Sequence, residues 1–171
     1  MKIPNYRAYA ISITALTMFL VFTQKLEASP GDSFFNRLQG TWQGDGKTLG
    51  MSAHLQMKWE WVLGSKFLRL SLKNEMKSGT GQVQVFEGNA YYQPSSEDKC
   101  AGQWFDSRGA SFAINGSIDG DALTAQWGAT GQEQGKSVYR FLEAGKLEVV
   151  DSVRQKDGTW KEFGRFVVIR Q

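Results

Sequence analysis

From residue 40 onward, apolar and polar residues alternate over long stretches of the chain. The clearest stretch runs from residue 53 to residue 61, where every second residue is apolar: Ala53, Leu55, Met57, Trp59 and Trp61. Residues 67–73 repeat this pattern, with leucines between Arg69, Ser71 and Lys73. A period of two is the side-chain period of a β-strand, so each stretch is expected to bury one face and expose the other.

Short segments rich in Gly, Ser, Asn and Asp separate the alternating stretches. Such residues tolerate the positive φ of tight hairpin turns. We interpret these segments as turns: Gly64-Ser65, Ser78-Gly79-Thr80-Gly81, Pro94-Ser95-Ser96, Arg108-Gly109, Asn115-Gly116, Asp119-Gly120, Gly145 and Asp157-Gly158. With a first strand at about 40–46, further strands are predicted at about 82–92, 99–107, 110–117, 121–127, 136–142, 146–154 and 160–169. The count is about ten.

These strands predict an all-β fold, a single antiparallel up-and-down β-barrel. No predicted helix is long enough for a crossover between parallel strands; residues 34–38 can form one helical turn capped by Asp32 or Ser33. Closing the sheet removes its exposed edges. A two-sheet sandwich is the alternative, but it usually needs longer connections. Barrels of this size can hold one small ligand inside.

The N-terminus has the form of a signal peptide. Lys2 and Arg7 precede an almost unbroken apolar run over residues 8–22, which is shorter than the roughly 20 residues of a membrane-spanning helix. Ala28 is the predicted cleavage position, which gives a signal peptide at 1–28 and a lipocalin-like domain at 29–171. The expected location is extracytoplasmic, either periplasmic or secreted. An uncleaved inner-membrane signal anchor is the alternative.

Charge and cysteine content exclude several classes. The full chain carries 20 Lys and Arg against 17 Asp and Glu. Removing residues 1–28 leaves 17 basic and 16 acidic residues, a net charge of +1, without the basic patch that nucleic-acid binding needs. We therefore expect no nucleic-acid partner, and a membrane contact only through an uncleaved leader. Cys100 is the one cysteine and cannot form an internal disulfide.

Several motifs carry a resemblance to a known family. Gly40-Thr41-Trp42 resembles the Gly-x-Trp opening of lipocalin-like (calycin) barrels. Together with 59–68, 86–92, 104–107 and 163–165, it makes residues 34–170 similar to an uncharacterised bacterial lipocalin-like family, the domain of unknown function 1579. The resemblance implies a calycin-type barrel and supplies no activity.

The resemblance also implies roles for some residues. In lipocalin-like barrels the matching Trp plugs the closed end under a late-strand Arg, so Trp42 is expected to be a structural plug, with Arg165 or Arg170 above it. Nitrobindin-like barrels bind haem through a His near the C-terminus. The one His here is His54, on the polar side of an early strand, so we expect no haem, no metal and no other cofactor.

Aromatic and charged residues on strands form the candidate barrel interior, because ligand cavities are typically aromatic with a few polar groups. The candidates are Trp59, Trp61, Arg69, Tyr92, Trp104, Arg140 and Asp151. Such aromatics also suit a filled core, and the pattern does not distinguish the two. Cys100 shares the parity of Trp104 and is expected to be a buried filler.

A hairpin around Ala144-Gly145 sets Arg140 against Val149 in the simplest register, with Asp151 diagonal to Arg140. Because both charges occupy otherwise apolar faces, this register predicts an internal ion pair.

Catalytic motifs are missing from the sequence. It holds no Gly-x-Ser-x-Gly elbow, and its Gly-rich segments lack a strand-to-helix setting. The first hypothesis is therefore a barrel that binds a small apolar or amphipathic ligand, with Arg69 or Arg140 at its polar end. The alternatives are a solid-core structural or interaction protein without a ligand and an enzyme of unrecognised type.

Overall fold

The computed structural model describes residues 33–171. The predicted signal peptide, its cleavage site and residues 29–32 lie outside this range. One short helix, α1 (Phe34–Leu38), precedes ten strands. The strands are β1 (Gly40–Thr48), β2 (Met51–Val62), β3 (Phe67–Lys77), β4 (Val83–Pro94), β5 (Lys99–Asp106), β6 (Ser111–Asp119), β7 (Ala122–Gly128), β8 (Gln134–Glu143), β9 (Lys146–Arg154) and β10 (Trp160–Arg170).

All ten strands form one closed antiparallel barrel, in which each strand pairs with its neighbours in sequence and β1 pairs with β10. The predicted all-β, up-and-down barrel is confirmed. Helix α1 is the predicted helical turn, and the side chain of Ser33 caps it by accepting a hydrogen bond from the backbone N–H of Asn36 at 3.3 Å.

The alternation of residue types explains the wall of the barrel. On β2, Leu55, Met57 and Trp59 are buried inside, whereas Gln56 and Lys58 are exposed outside. The inward side chains of all strands meet in one hydrophobic core. Burial of this apolar surface is the main force that stabilises the barrel.

One predicted turn lies inside a strand. Asn115-Gly116 belongs to β6, where Gly116 faces inward opposite Cys100. A Cβ at Gly116 would lie 2.3 Å from the Cys100 sulfur, so this glycine serves close packing instead of a turn. Gly145, by contrast, has φ of +75° in the β8–β9 turn, as predicted.

The predicted register of β8 and β9 is wrong. A bulge between Phe141 and Glu143 shifts the pairing, so that Phe141, not Leu142, lies opposite Leu147. Because one residue of shift turns every side chain to the other face, Tyr139 points inward and Arg140 points outward.

The two ends of the barrel differ. We call the end that carries α1 and the chain terminus after β10 the closed end. We call the opposite end, where the β1–β2, β3–β4, β5–β6, β7–β8 and β9–β10 turns lie, the mouth. The candidate ligand site lies between them, in the interior.

Candidate functional site

Trp42 fills the closed end. Its side chain is fully buried, and its indole Nε1 donates a 2.7 Å hydrogen bond to the carbonyl of Leu38 in α1. The guanidinium of Arg170 lies 4.3 Å from the centre of the Trp42 ring and donates to the carbonyls of Arg37 and Gln39. The residue above the plug is therefore Arg170.

Arg165 does not take part in the plug, which corrects that expectation. It points outward from β10 and pairs with Glu148 and Glu162. The parity of β10 explains the difference, because Phe166 and Val168 face inward and Arg170 lies opposite Trp42.

Further aromatic contacts seal the same end. Phe141 packs beside Trp42 with ring centres 6.0 Å apart and against Phe34 at 5.1 Å. The Arg37 guanidinium covers Phe141 at 4.1 Å and also pairs with Asp121 at 2.7 Å. Helix, aromatic rings and guanidinium groups together close this end.

Two tryptophans line the mouth and remain partly exposed. Trp104 stacks with Phe86 at a ring-centre distance of 6.4 Å, and Trp127 packs against Phe112 at 5.4 Å. Each indole lies close against a glycine on a neighbouring strand, because a Cβ at Gly88 would come within 2.3 Å of Trp104 and one at Gly135 within 1.9 Å of Trp127. The mouth therefore presents aromatic surface inside the wall.

Arg108 bridges two turns of the mouth. It pairs with Asp106 at 2.7 Å and with Glu133, in the β7–β8 turn, at 3.3 Å, and its guanidinium lies 5.7 Å from the Phe86 ring centre. Desolvation opposes ionisation of Asp106, but hydrogen bonds from Arg108 and Trp104 outweigh it and lower the pKa of this carboxyl. The Arg108 side chain itself is half exposed.

A row of polar side chains crosses the deep interior. The Trp59 ring contacts those of Tyr92 and Tyr139, with ring centres 5.3 and 5.2 Å away. The hydroxyl groups of Tyr139, Tyr92 and Ser137 lie near one another, and the Ser137 hydroxyl donates to Asp151 Oδ1 at 2.6 Å. This row of side chains ends at the Asp151 carboxylate inside the barrel.

Asp151 has an unusual environment for a carboxyl group. Protein surrounds it, yet the residue keeps some accessible surface. Burial raises the pKa of Asp151 to about 6, and the hydrogen bond from Ser137 partly opposes that rise. Burial likewise raises the pKa values of Tyr92 and Tyr139, so both phenols stay neutral.

Two buried polar atoms of the interior have no hydrogen-bond partner within residues 33–171. They are Trp59 Nε1, a donor, and Asn74 Oδ1, an acceptor; the Asn74 Nδ2 donates to Thr48 Oγ1 at 2.9 Å. Leaving a buried polar group unpaired costs about 1–3 kcal/mol, so a partner that reached these atoms would stabilise the barrel; a third such atom, Arg69 Nε, lies on the outer wall.

The candidate residues occupy different parts of the molecule. Trp59, Tyr92, Trp104 and Asp151 face the interior. Trp61 is half buried near the closed end. Its indole Nε1 donates to Asn36 Oδ1 at 2.8 Å and so holds α1 in place.

The two arginines proposed to hold a ligand's polar end are outside, which corrects that expectation. Arg69 alternates with buried Leu68 and Leu70 and pairs with Glu60 on the outer wall. Arg140 is exposed and lies opposite Glu148. The predicted Arg140–Asp151 ion pair is therefore absent from the structure.

Sequence reasoning missed Tyr139, Ser137 and Asn74. The first two were assigned to the outer face because the β8 bulge was not recognised. Asn74 follows Leu68, Leu70 and Leu72 with the same parity, so extending that alternation by one more step would have placed it inside.

Cys100 and His54 lie as expected. Cys100 is buried, and burial raises the pKa of its thiol to about 11. His54 is on the outer wall, where Nδ1 lies 2.7 Å from Asp45 Oδ1.

Two depressions lie on the outside of the barrel. The larger, of about 570 Å³, is lined mainly by outward polar residues of β1 to β4, and the smaller, of about 350 Å³, lies beside Trp127 and Trp160. Between residues 33 and 171 no cluster of three or more His, Cys, Asp or Glu side chains is arranged to hold a metal ion. The same range contains no helix of the length and apolarity that a membrane span requires.

The solved structures that resemble this barrel include two natural proteins. Rv2717c from M. tuberculosis superposes with a TM-score of 0.61 and 14% identity, over 85% of this chain and 99% of that one. The S-type phycobiliprotein lyase CPES from Guillardia theta gives 0.55 and 11%, over 81% and 90%. At these identities the likeness shows a lipocalin-like fold alone. No protein-family model and no curated protein matches the sequence.

Proposed function

We propose that this protein is an exported binding barrel that takes up a small apolar or amphipathic molecule through the mouth. The observation that carries the proposal is the difference between the two ends. Trp42 and Arg170 fill the closed end, while Trp104, Phe86 and Trp127 at the mouth keep accessible aromatic surface on the inside of the wall. Aromatic surface of this kind suits an apolar ligand.

The unpaired polar atoms of the interior add a second argument. A solid core is expected to pair or exclude its polar groups, but Trp59 Nε1 and Asn74 Oδ1 are buried without a partner. A ligand that bears one polar group would satisfy such atoms. This feature favours a binding barrel over the solid-core alternative.

Membership in the domain of unknown function 1579 family and export through residues 1–28 are parts of the same proposal. The positions of Trp42, Trp59 and Trp104 inside one barrel agree with the motifs behind the resemblance. Expression of the full chain in a bacterial host tests export. We expect a periplasmic protein whose intact mass is that of a chain starting at Ser29. Full-length protein in the cytoplasm would contradict export.

Binding is tested with a neutral apolar dye, Nile red, titrated into the purified protein while energy transfer from tryptophan is followed. We expect saturable binding near one dye per chain. Leu72 is half buried and faces the interior, so Leu72→Trp fills space there and is expected to weaken binding about tenfold or more.

Ala113→Trp is the matched control, because Ala113 is exposed on the outside of β6 and the same indole is added without filling the interior. Circular dichroism and thermal melts check that both variants fold. Equal dye affinity in the two folded variants places the dye outside the barrel and contradicts the proposal, as does a parent protein that binds no dye.

A further inference from the structure

One group of inward polar side chains is rich in acceptors. Thr48, Gly164, Asp151 and Ser137 lie opposite one another on β1, β10, β9 and β8. Thr48 holds the Asn74 amide, whose Oδ1 is unpaired. We call Asn74, Thr48, Asp151 and Ser137 the acceptor belt. Strand spacing puts Thr48 about 10 Å from Asp151 along the wall.

Gly164 allows the Asp151 carboxylate to pack directly against the main chain of β10. A Cβ at Gly164 would lie 3.2 Å from Asp151 Oδ2 and 3.4 Å from Asp151 Cβ, which is tighter than most Cβ contacts. The Ser137 hydroxyl occupies the other oxygen, Oδ1. Among residues 33–171 the Ser137 hydroxyl is the one donor bonded to this carboxylate, so Oδ2 keeps an unused acceptor.

The nearby arginines are engaged elsewhere and do not neutralise the Asp151 carboxylate. Arg170 is held over Trp42 by two carbonyls at the closed end, and Arg108 is engaged by Asp106 and Glu133 at the mouth. Arg69 and Arg140 lie outside. No Lys or Arg within the described range of 33–171 is paired with Asp151.

We propose that the interior selects ligands whose polar end is a hydrogen-bond donor, and a primary ammonium group above all, which the Asp151 carboxylate receives. This inference rests on the proposed function and specifies its ligand class. A carboxylate end group would meet a like charge in a place of low dielectric, where repulsion is strong.

Three probes of equal chain length distinguish the end groups: n-decylamine, n-decanol and n-decanoate. Each is titrated into the full protein at pH 7.5 below its micelle concentration, with calorimetry and intrinsic tryptophan fluorescence as readouts. We expect the amine to bind most tightly, the alcohol less, and the carboxylate at least about tenfold more weakly than the amine.

Asp151→Asn removes the charge and keeps the size of the side chain. It should weaken the binding of decylamine about tenfold and change the binding of decanol little. Asp45→Asn is the matched control, since Asp45 is strongly exposed on the outer wall and the same unit of charge is removed. Gly164→Ala is a second variant that keeps the carboxylate but narrows the space beside Oδ2, and it should also weaken the amine.

The outcomes separate the two proposals. If decanoate binds as well as decylamine, or if Asp151→Asn and Asp45→Asn bind the amine equally, the donor preference is wrong and the binding barrel stands. If none of the three probes and no dye binds the parent protein, the proposed function fails and the inference fails with it.

Discussion

The closed end and the mouth both contain tryptophan and arginine, but they hold them in different ways. At the closed end, the Trp42 nitrogen and the Arg170 guanidinium donate to main-chain carbonyls, and the indole is fully buried. At the mouth, Arg108 depends on carboxylates and is half exposed, and Trp104 remains partly accessible. The Arg108–Glu133 pair is exposed on both sides, and exposed ion pairs contribute roughly 0–1 kcal/mol, so water can replace this contact at little cost. The comparison indicates that the closed end stabilises the barrel, and it is the reason we propose the mouth as the entrance for a ligand.

The largest expected effect tests that division directly. Trp42→Ala should lower the free energy of unfolding by about 3–5 kcal/mol, because a large cavity opens in the core. Trp104→Ala, the same truncation of a half-buried residue at the mouth, should lower the free energy of unfolding clearly less. Urea denaturation followed by circular dichroism measures both. Equal losses would show that the two ends stabilise the barrel to the same extent.

The next effect lies between the two ends. Burial raises the pKa of Asp151 to about 6, above its unfolded value of about 3.9. The folded state therefore binds the proton more tightly, and the free energy of unfolding should fall as the pH rises from about 4 through 6, by up to about 3 kcal/mol.

Asp151→Asn should remove that pH dependence and make the protein more stable than the parent at pH 7.5, with little difference at pH 3.5. Denaturation curves across this range measure it. A variant that is less stable than the parent at pH 7.5 would show that the ionised carboxylate has a stabilising partner.

The smallest stability effect is expected at the mouth. Arg108→Ala should cost about 1–2 kcal/mol, because Arg108 is half exposed while its partner Asp106, whose side chain is buried, keeps the hydrogen bond from Trp104. It should also change the rates of Nile red association and dissociation. Arg165→Ala is the control, an arginine of similar exposure that pairs with two glutamates on the outer wall. Stopped-flow rates that are identical in the two variants would show that Arg108 does not gate the mouth.

Much of the fold was predictable because the alternation is strict where one face of a strand is buried. On β2 and β3 the sequence pattern gives the inward set directly, and it already put Arg69 on the polar face. The β8 bulge was not predictable from alternation, since Val138, Arg140 and Leu142 alternate as plausibly as the true inward set of Ser137, Tyr139 and Phe141.

The candidate site was predicted in part. Trp59, Tyr92, Trp104 and Asp151 were placed inside by parity. The structure alone shows that Asp151 bonds Ser137 and not Arg140, because that contact depends on register across two strands. Gly116 shows the same limit, since a glycine needed for packing against Cys100 reads like a turn residue in sequence.

The pairing of β1 with β10 has a consequence for how the chain folds. The second hydrogen-bonding partner of β1 is β10, the last strand. Arg170 of β10 donates to the carbonyls of Gln39 and Arg37, which lie 131 and 133 positions earlier in the sequence. Such distant contacts form slowly, because a long loop must close before any of them stabilises the product. Until β10 arrives, β1 and β9 are open edges that can pair with other chains. A chain truncated before Trp160 is thus expected to aggregate.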